Sequence, residues 1–239
     1  MPLRISPGVW WIGRNDAISG MLFDGAFEPD ERRVVCQLLK PGMTVLDVGA
    51  NAGLYTMTAA RLVGRSGRVI AFEPSARERA RLTSHLHLNR LTNVVIEPSA
   101  VGAVDGEVDL FVVEGTETGC NSLRPPPGEM ARANRVPVCR LDTYATRHGL
   151  TRVDFIKIDV EGGERDVLRG AEQLFRSARP LLLCEIEPAR IAPWRYHPRE
   201  IFELVQSWDY RWFAIGAAGL VAMSGTPESC NGNYLARPI

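Results

Sequence analysis

Residues 45–53, Val-Leu-Asp-Val-Gly-Ala-Asn-Ala-Gly, constrain the fold of this chain more than any other stretch. Val45 to Val48 is a short apolar run broken by a single acid, as expected for a strand buried on both faces. Gly49, Asn51 and Gly53 then turn the chain toward a helix. Small residues let a ligand approach the backbone there, and a helix start offers unpaired N–H groups. The next apolar run, Arg68-Val-Ile-Ala-Phe-Glu73, ends in an acid. A carboxylate at the tip of a neighbouring strand can accept both hydroxyls of a ribose. Together the two features predict a nucleoside-containing cofactor at the top of a parallel sheet.

The turn also discriminates between cofactors. Pyridine dinucleotides sit on Gly-x-Gly-x-x-Gly, whose glycines admit a pyrophosphate. Here the pattern is Asp47-x-Gly49-x-Asn51-x-Gly53, with Asn in the middle and the last Gly one residue early. Asp47 would repel a pyrophosphate, but it suits the sulfonium and ammonium groups of S-adenosylmethionine. The bland alternative is a tight strand-to-helix turn that binds nothing. The joint placement of Asp47 and Glu73 argues against it.

With 239 residues and 45% hydrophobic content, the chain can bury one sizeable core, so one domain over 1–239 is expected. Residues 1–40 then form an N-terminal cover and helix. Lys+Arg and Asp+Glu balance at 28 each, which gives no electrostatic footprint for nucleic acid or an anionic membrane. Arg77, Arg79 and Arg81 lie on a predicted helix and read as a solvated face. Cys36, Cys120, Cys139, Cys184 and Cys230 are odd in number and contain no Cys-x-x-Cys. That is reduced, cytoplasmic usage rather than a disulfide frame or zinc site. The first residues lack a signal pattern, and no apolar run approaches bilayer-spanning length.

Strand and helix signals alternate. Strands are expected at 44–48, 68–72, 93–97, 154–159 and 180–187, and helices at 30–39, 53–63, 75–89, 163–175 and 198–207. The first of these helices begins with Asp30 as a cap. An added strand at 106–113 is followed by a long loop, 114–135, then a strand at 136–141 and a short helix at 142–148. Signals at 210–215, 219–222 and 233–236 suit a terminal antiparallel hairpin. Such alternation implies right-handed crossovers and a mostly parallel sheet, with ligands beyond the carboxyl ends of its strands.

With these residues in view, the chain resembles the FkbM-type methyltransferase family. The resemblance rests on Val45 to Tyr55, Ala71-Phe-Glu-Pro74, Ser99-Ala-Val-Gly102, Asn121-Ser-Leu123, Arg140-Leu-Asp-Thr143 and Ile156-Lys-Ile-Asp-Val-Glu-Gly-Gly-Glu164. It covers roughly residues 44–187. It implies a Rossmann-like class I methyltransferase fold: an α/β domain with a seven-stranded, mostly parallel sheet, an antiparallel terminal hairpin and helices on both faces. It also implies S-adenosylmethionine-dependent methyl transfer, commonly to a hydroxyl of a small molecule such as a secondary metabolite or sugar, with S-adenosylhomocysteine as product. Gly119-Cys-Asn-Ser-Leu departs from the serine-rich run of relatives, in a loop that faces the acceptor if the resemblance holds. The poorly matching termini, with loops 114–135 and 188–198, are expected to carry acceptor specificity.

In this scheme Asp47, Gly49, Ala50, Asn51 and Gly53 hold the methionine end, and Glu73 the ribose. Pro74 shapes the turn, and Ser99 and Ala100 contact adenine. The bland role for Ser99 is a strand-end hydroxyl bonded to its own backbone. Methyl transfer to an alcohol also needs alignment, exclusion of water and removal of a proton. Asp159 sits at the catalytic edge, to orient the cofactor or act as base. Lys157 alternates onto its side and needs a carboxylate partner. Glu185 and Glu187 point the same way on the fifth strand, and one of them faces the cleft. His197 is the histidine best suited to a general base, against the bland role of a surface residue. His85, His87 and His148 read as structural, and Glu164 as a helix-start residue. Asp159, Glu185 and Glu187 could gather an ion, but no His pair or Cys cluster supports a metal. Trp10, Trp11, Trp194, Tyr196 and Trp212 either line an apolar acceptor pocket or pack the core. The partners expected are a small-molecule acceptor, no nucleic acid and no membrane; a homo-oligomer stays open. The alternatives are an N- or nucleic-acid methyltransferase, although the Asn/Asp-Pro-Pro-aromatic grip on an amino nitrogen is absent, and a non-catalytic nucleoside-binding protein.

Overall fold

The computed structural model describes residues 2–5, 7–114, 119–126, 128, 130–227 and 229–239. The N-terminal part holds the strands β1 (Pro2–Ile5) and β2 (Val9–Ile12) and the helices α1 (Ala17–Phe23) and α2 (Pro29–Leu38). Then come β3 (Thr44–Val48), α3 (Leu54–Val63), β4 (Arg68–Phe72), α4 (Ala76–Asn89) and β5 (Val94–Glu97). A lateral insert comprises β6 (Ala100–Val101), β7 (Gly106–Val113) and β8 (Ala131–Cys139). The second half runs α5 (Leu141–Arg147), β9 (Phe155–Ile158), α6 (Glu164–Arg169), α7 (Glu172–Ala178), β10 (Leu181–Ile186), α8 (Pro188–Ile191), α9 (Arg199–Gln206), β11 (Tyr210–Gly216), β12 (Gly219–Ala222) and β13 (Gly232–Pro238).

The main sheet has the order β12-β11-β13-β10-β9-β3-β4-β5. Strands β10, β9, β3, β4 and β5 are parallel, and β13, β11 and β12 add antiparallel pairings at one end. The sheet therefore has eight strands rather than seven, the extra one being β12, which pairs along β11 at the outer edge. Alternation assigns each strand residue to a face. Leu46 and Val48 pack with Val167, Phe175 and Phe202 of α6, α7 and α9, while Val45 packs with Val35, Ala59 and Val63 of α2 and α3. Asp47 consequently points to the α3 side.

Several expected boundaries shift for physical reasons. The helix expected over 163–175 breaks into α6 and α7 around Gly170, whose Cα closely approaches the Gly102 carbonyl; an added Cβ would lie 2.0 Å from that oxygen. Strand β8 begins at Ala131, not at 136, because it pairs along the whole of β7, from Gly106↔Val138 to Val113↔Ala131. The expected 114–135 loop thus loses its last residues to a strand, and its residues 115–118, 127 and 129 lie outside those described. Strands β6, β7 and β8 form a separate three-stranded sheet. Glu28, not Asp30, occupies the cap of α2, with φ +43°. Its carboxylate is engaged elsewhere, accepting from the Tyr55 hydroxyl at 2.6 Å and from Asn233 Nδ2 at 2.8 Å. No helix among the described residues is long and apolar enough to cross a membrane.

Candidate active site

The carboxyl ends of β3, β4 and β9 open on two adjoining chambers. The first is lined by Gly49, Asn51, Glu73, Pro74, Ser99 and Ala100, with Leu110, Asn121 and Leu123 from the lateral insert. The second, about 430 Å³, lies on the α1–α3 side and takes in Asp47, Ala50, Gly53, Tyr55, Lys157 and Glu185, roofed by Ile18, Met21 and Phe27. Gly49, Asn51, Gly119, Asp159 and Glu161 border both.

The turn after β3 is shaped by backbone needs. Gly49 has φ +83°, and a Cβ there would lie 1.8 Å from the Asp159 carbonyl oxygen, so only glycine lets the turn meet the end of β9. The Gly49 and Ala50 N–H groups donate to the Phe72 carbonyl at 3.0 Å, tying the turn to β4. Glu73 is fixed from two sides: it accepts the Asn51 N–H and the Ser75 N–H, each at 2.7 Å. Two lone-pair positions on its oxygens remain for further donors. Burial pushes its carboxyl up to about 7, against the pull of those two bonds.

Asp47 is buried, and its Oδ2 accepts from Thr56 Oγ1 at 2.5 Å. Its Oδ1 is buried without a hydrogen-bond partner, beside the second chamber. Burial pushes this carboxyl up, offset by Lys157. A buried acceptor of this kind costs free energy until a donor meets it. Two buried acids with acceptor capacity to spare thus fit a ligand that carries an ammonium and ribose hydroxyls, as S-adenosylmethionine does.

Lys157 is buried, bonds Asp159 Oδ2 at 2.7 Å and lies over the Tyr55 ring. Burial would lower its ammonium, but Asp159, Asp47 and Glu28 together push it up. For Asp159, burial is outweighed by Lys157 and a hydrogen bond from Glu185, and its carboxyl sits below the usual range. Glu185 is raised well above it by burial and by the adjacent Asp159, so a proton shared by the pair favours Glu185. Asp159, Glu161 and Glu185 bring one oxygen each within 4.8 Å of one another. Lys157 and Arg190 already pair with Asp159 and Glu161, and Glu187 stands outside this group.

Other expectations fare differently. Ser99 borders the first chamber with its hydroxyl 3.6 Å from Cys139 Sγ, rather than on its own backbone. His197 does not reach either chamber. It is exposed before α9, where its N–H donates to Glu200 Oε1 at 2.9 Å and its Nδ1 accepts the Arg199 N–H at 3.2 Å. Glu164 folds back onto the N–H groups of Val160 and Gly162, in keeping with a helix-start role. Trp212 packs in the core, Trp11 borders the second chamber, and Trp194 and Tyr196 hold the carbonyls of Glu161 and Gly162. The arginines of α4 are not a solvated face. Arg77 donates to the Val113 carbonyl, Arg79 to those of Glu73 and Pro74, and buried Arg81 to Asp16.

Five parallel strands closed by an antiparallel end, with a glycine turn and an acid on the next strand tip, define the class I methyltransferase architecture. The match at the level of family is equally direct. Residues 47–212 match the methyltransferase FkbM domain, and the chain belongs to that family of S-adenosylmethionine-dependent methyltransferases. It is 25% identical over 209 residues to the 2-O-methyltransferase NoeI of Sinorhizobium fredii, covering 82% of this chain and 84% of NoeI. It is 31% identical over 189 residues to the AMB antimetabolite synthetase AmbE of Pseudomonas aeruginosa, covering 64% of this chain but only 9% of AmbE. Methyltransferase FkbM from Methylobacillus flagellatus KT shares the fold, with a TM-score of 0.51 at 16% identity, over 90% of this chain and 52% of that one.

Proposed function

We propose that the protein methylates a hydroxyl oxygen of a small-molecule acceptor held in the second chamber, which we call the acceptor chamber. The first chamber, the donor chamber, would take the adenosine end of the cofactor. When bound, S-adenosylmethionine supplies a methyl group already activated on its sulfonium sulfur. Asp47 and the backbone of Gly49, Ala50, Asn51 and Gly53 hold the methionine end. Glu73 binds the ribose hydroxyls, Pro74 shapes that turn, and Ser99 and Ala100 flank the adenine. Asp159 orients the acceptor hydroxyl and takes its proton, while protonated Glu185 and Lys157 hold the Asp159 carboxylate in place. A carboxylate is basic enough, because the protonated ether formed without a base is a strong acid.

The observation that carries this reading is the position of Asp159, an acid bordering both chambers and held by Lys157 at 2.7 Å. NoeI, similar along most of its length, is named a 2-O-methyltransferase, which favours oxygen as the methylated atom. The test is a screen of hydroxylated small molecules with S-adenosylmethionine, read as S-adenosylhomocysteine release and the mass and NMR position of the product. Methyl on an oxygen supports the reading. Methyl found only on nitrogen, or only on RNA or DNA, would sink it.

A further inference from the structure

The N-terminal segment that roofs the acceptor chamber is fastened to the molecule by one face of α4. Glu78, Arg81, His85 and Asn89 recur at intervals of three and four residues, so they share a face, and all four are buried. Asn89 accepts the Trp10 N–H at 2.6 Å and donates to the Trp10 carbonyl at 2.7 Å. Arg81 pairs at 2.7 Å with Asp16, which caps α1. Between them His85 stacks on Trp11, with ring centroids 4.3 Å apart. Its Nδ1 lies 2.7 Å from the Ala52 carbonyl oxygen, and its Nε2 lies 2.9 Å from the Ile12 nitrogen.

Those two partners fix the tautomer. A carbonyl can only accept, so Nδ1 carries the hydrogen; an amide can only donate, so Nε2 is bare. Ala52 belongs to the cofactor turn, between Asn51 and Gly53. Ile12 leads into α1, whose Ala17, Ile18 and Met21 line the acceptor chamber. We propose that neutral His85 is a positioning residue that sets the cofactor turn against the acceptor roof, and that protonating it releases the N-terminal segment.

A proton on Nε2 would oppose the Ile12 N–H and bury a second cation beside Arg81. The charged groups around the ring are Arg81 and Glu78 on α4, Asp16 ahead of α1, and Arg14. Burial holds the imidazole below its ordinary range, with Arg81 and Arg14 adding to the effect against the two backbone bonds. The released segment binds the proton more readily, so the latch is fully present above about pH 6.5 and weakens as pH falls below it.

The cofactor assignment of the turn enters this inference, but the acceptor chemistry does not, and the test reads the protein without ligand first. Imidazole nitrogen NMR at about pH 7.5, assigned by difference against His85→Gln, should show a neutral Nδ1–H ring. Amide exchange over residues 9–23, corrected for intrinsic rate, should lose about tenfold protection in the wild type between about pH 7 and 5. His85→Gln donates and accepts without titrating, so it should keep its protection. His85→Leu should weaken S-adenosylhomocysteine binding about tenfold at neutral pH. An Nε2–H ring, or the same acid-induced loss in wild type and His85→Gln, overturns the proposal. If His85→Leu fails to fold, the tautomer and the His85→Gln comparison decide. Failure of the wild type itself to bind S-adenosylhomocysteine would instead indict the cofactor assignment and leave the exchange result standing.

Discussion

The donor and acceptor chambers share five bordering residues yet are assembled in different ways. The donor chamber is made mainly of strand ends and the turns that follow them: Gly49 and Asn51 after β3, Glu73 and Pro74 after β4, Ser99 and Ala100 after β5, with Leu110, Asn121 and Leu123 of the lateral insert along one side. Each piece is only a few residues long, and its neighbours are fixed by the register of the parallel sheet. The acceptor chamber draws Trp11, Ile18, Phe27, Glu28, Tyr55, Lys157, Glu185 and Arg190 from seven separated stretches of chain. Its geometry depends on long-range packing and on buried polar contacts rather than on one motif. The contrast teaches that donor recognition is a property of the sheet, whereas acceptor recognition is a property of what is fastened to it.

The sharpest way to break this comparison is at their common border. Asp159→Asn should lower turnover of an identified acceptor by about 10²–10⁴-fold, the usual worth of a positioned base. It should leave S-adenosylhomocysteine affinity within a few-fold on calorimetry; equal losses in both would make Asp159 a cofactor residue instead. On the donor side, Glu73→Ala removes the proposed acceptor of two ribose hydroxyls. Charge-assisted bonds of this kind are worth about 1.5–3 kcal/mol, which is roughly a 10–100-fold weaker affinity. The carboxyl near 7 also gives the sign of a pH dependence. The ionised form accepts both hydroxyls, so affinity should be full above pH 7 and fall as Glu73 protonates below it. Folding of the free protein runs the other way. Because the folded carboxyl lies above its free value, ligand-free stability should decline as pH rises from about 4.5 to 7. Thermal melts with and without S-adenosylhomocysteine across that range check both signs.

The difference between the chambers also explains what could be read from the chain. Asp47, Gly49, Asn51 and Glu73 are visible in sequence because a buried strand, a turn and a strand-tip acid are local patterns with fixed spacing. The parallel sheet follows from the alternation of strands and helices. Arg77, Arg79 and Arg81 looked like a solvated helix face because helical arginines usually are. Here each is held by a segment distant along the chain or by the neighbouring turn, and no local pattern reports that. The available signal was the spacing of Glu78, Arg81, His85 and Asn89, a polar stripe on a helix whose remaining positions offer few apolar residues to bury. The break at Gly170 was unreadable for a related reason, since it answers to the Gly102 carbonyl across the fold. The extra edge strand β12 was legible as a strand, but its pairing outside the expected seven was not.

Smaller effects sharpen the comparison from the acceptor side. Phe27 lies in the roof, on the segment latched by α4. Phe27→Ala should raise the KM for an acceptor about tenfold, the order expected for losing part of an aromatic contact. Donor affinity should stay within about twofold, because no donor-chamber wall is touched. A matching loss of S-adenosylhomocysteine affinity would show that roof and donor turn act as one unit, as the His85 bridge requires if the roof moves.

His197 marks the lower limit. Its chemistry is right for a base, but its ring is committed to the start of α9, where Nδ1 accepts the Arg199 N–H, and the side chain is exposed. Replacing it with alanine removes one solvent-accessible hydrogen bond at a helix start, worth about 1 kcal/mol or less. His197→Ala should therefore shift the melting temperature by a few degrees at most, on the order expected for that energy in a domain of this size. The pH profile of turnover should be unchanged. A profile that loses a limb near neutral pH would mean that the α9 start swings over the acceptor chamber during turnover, and the base would then have to be reassigned from Asp159 to this loop.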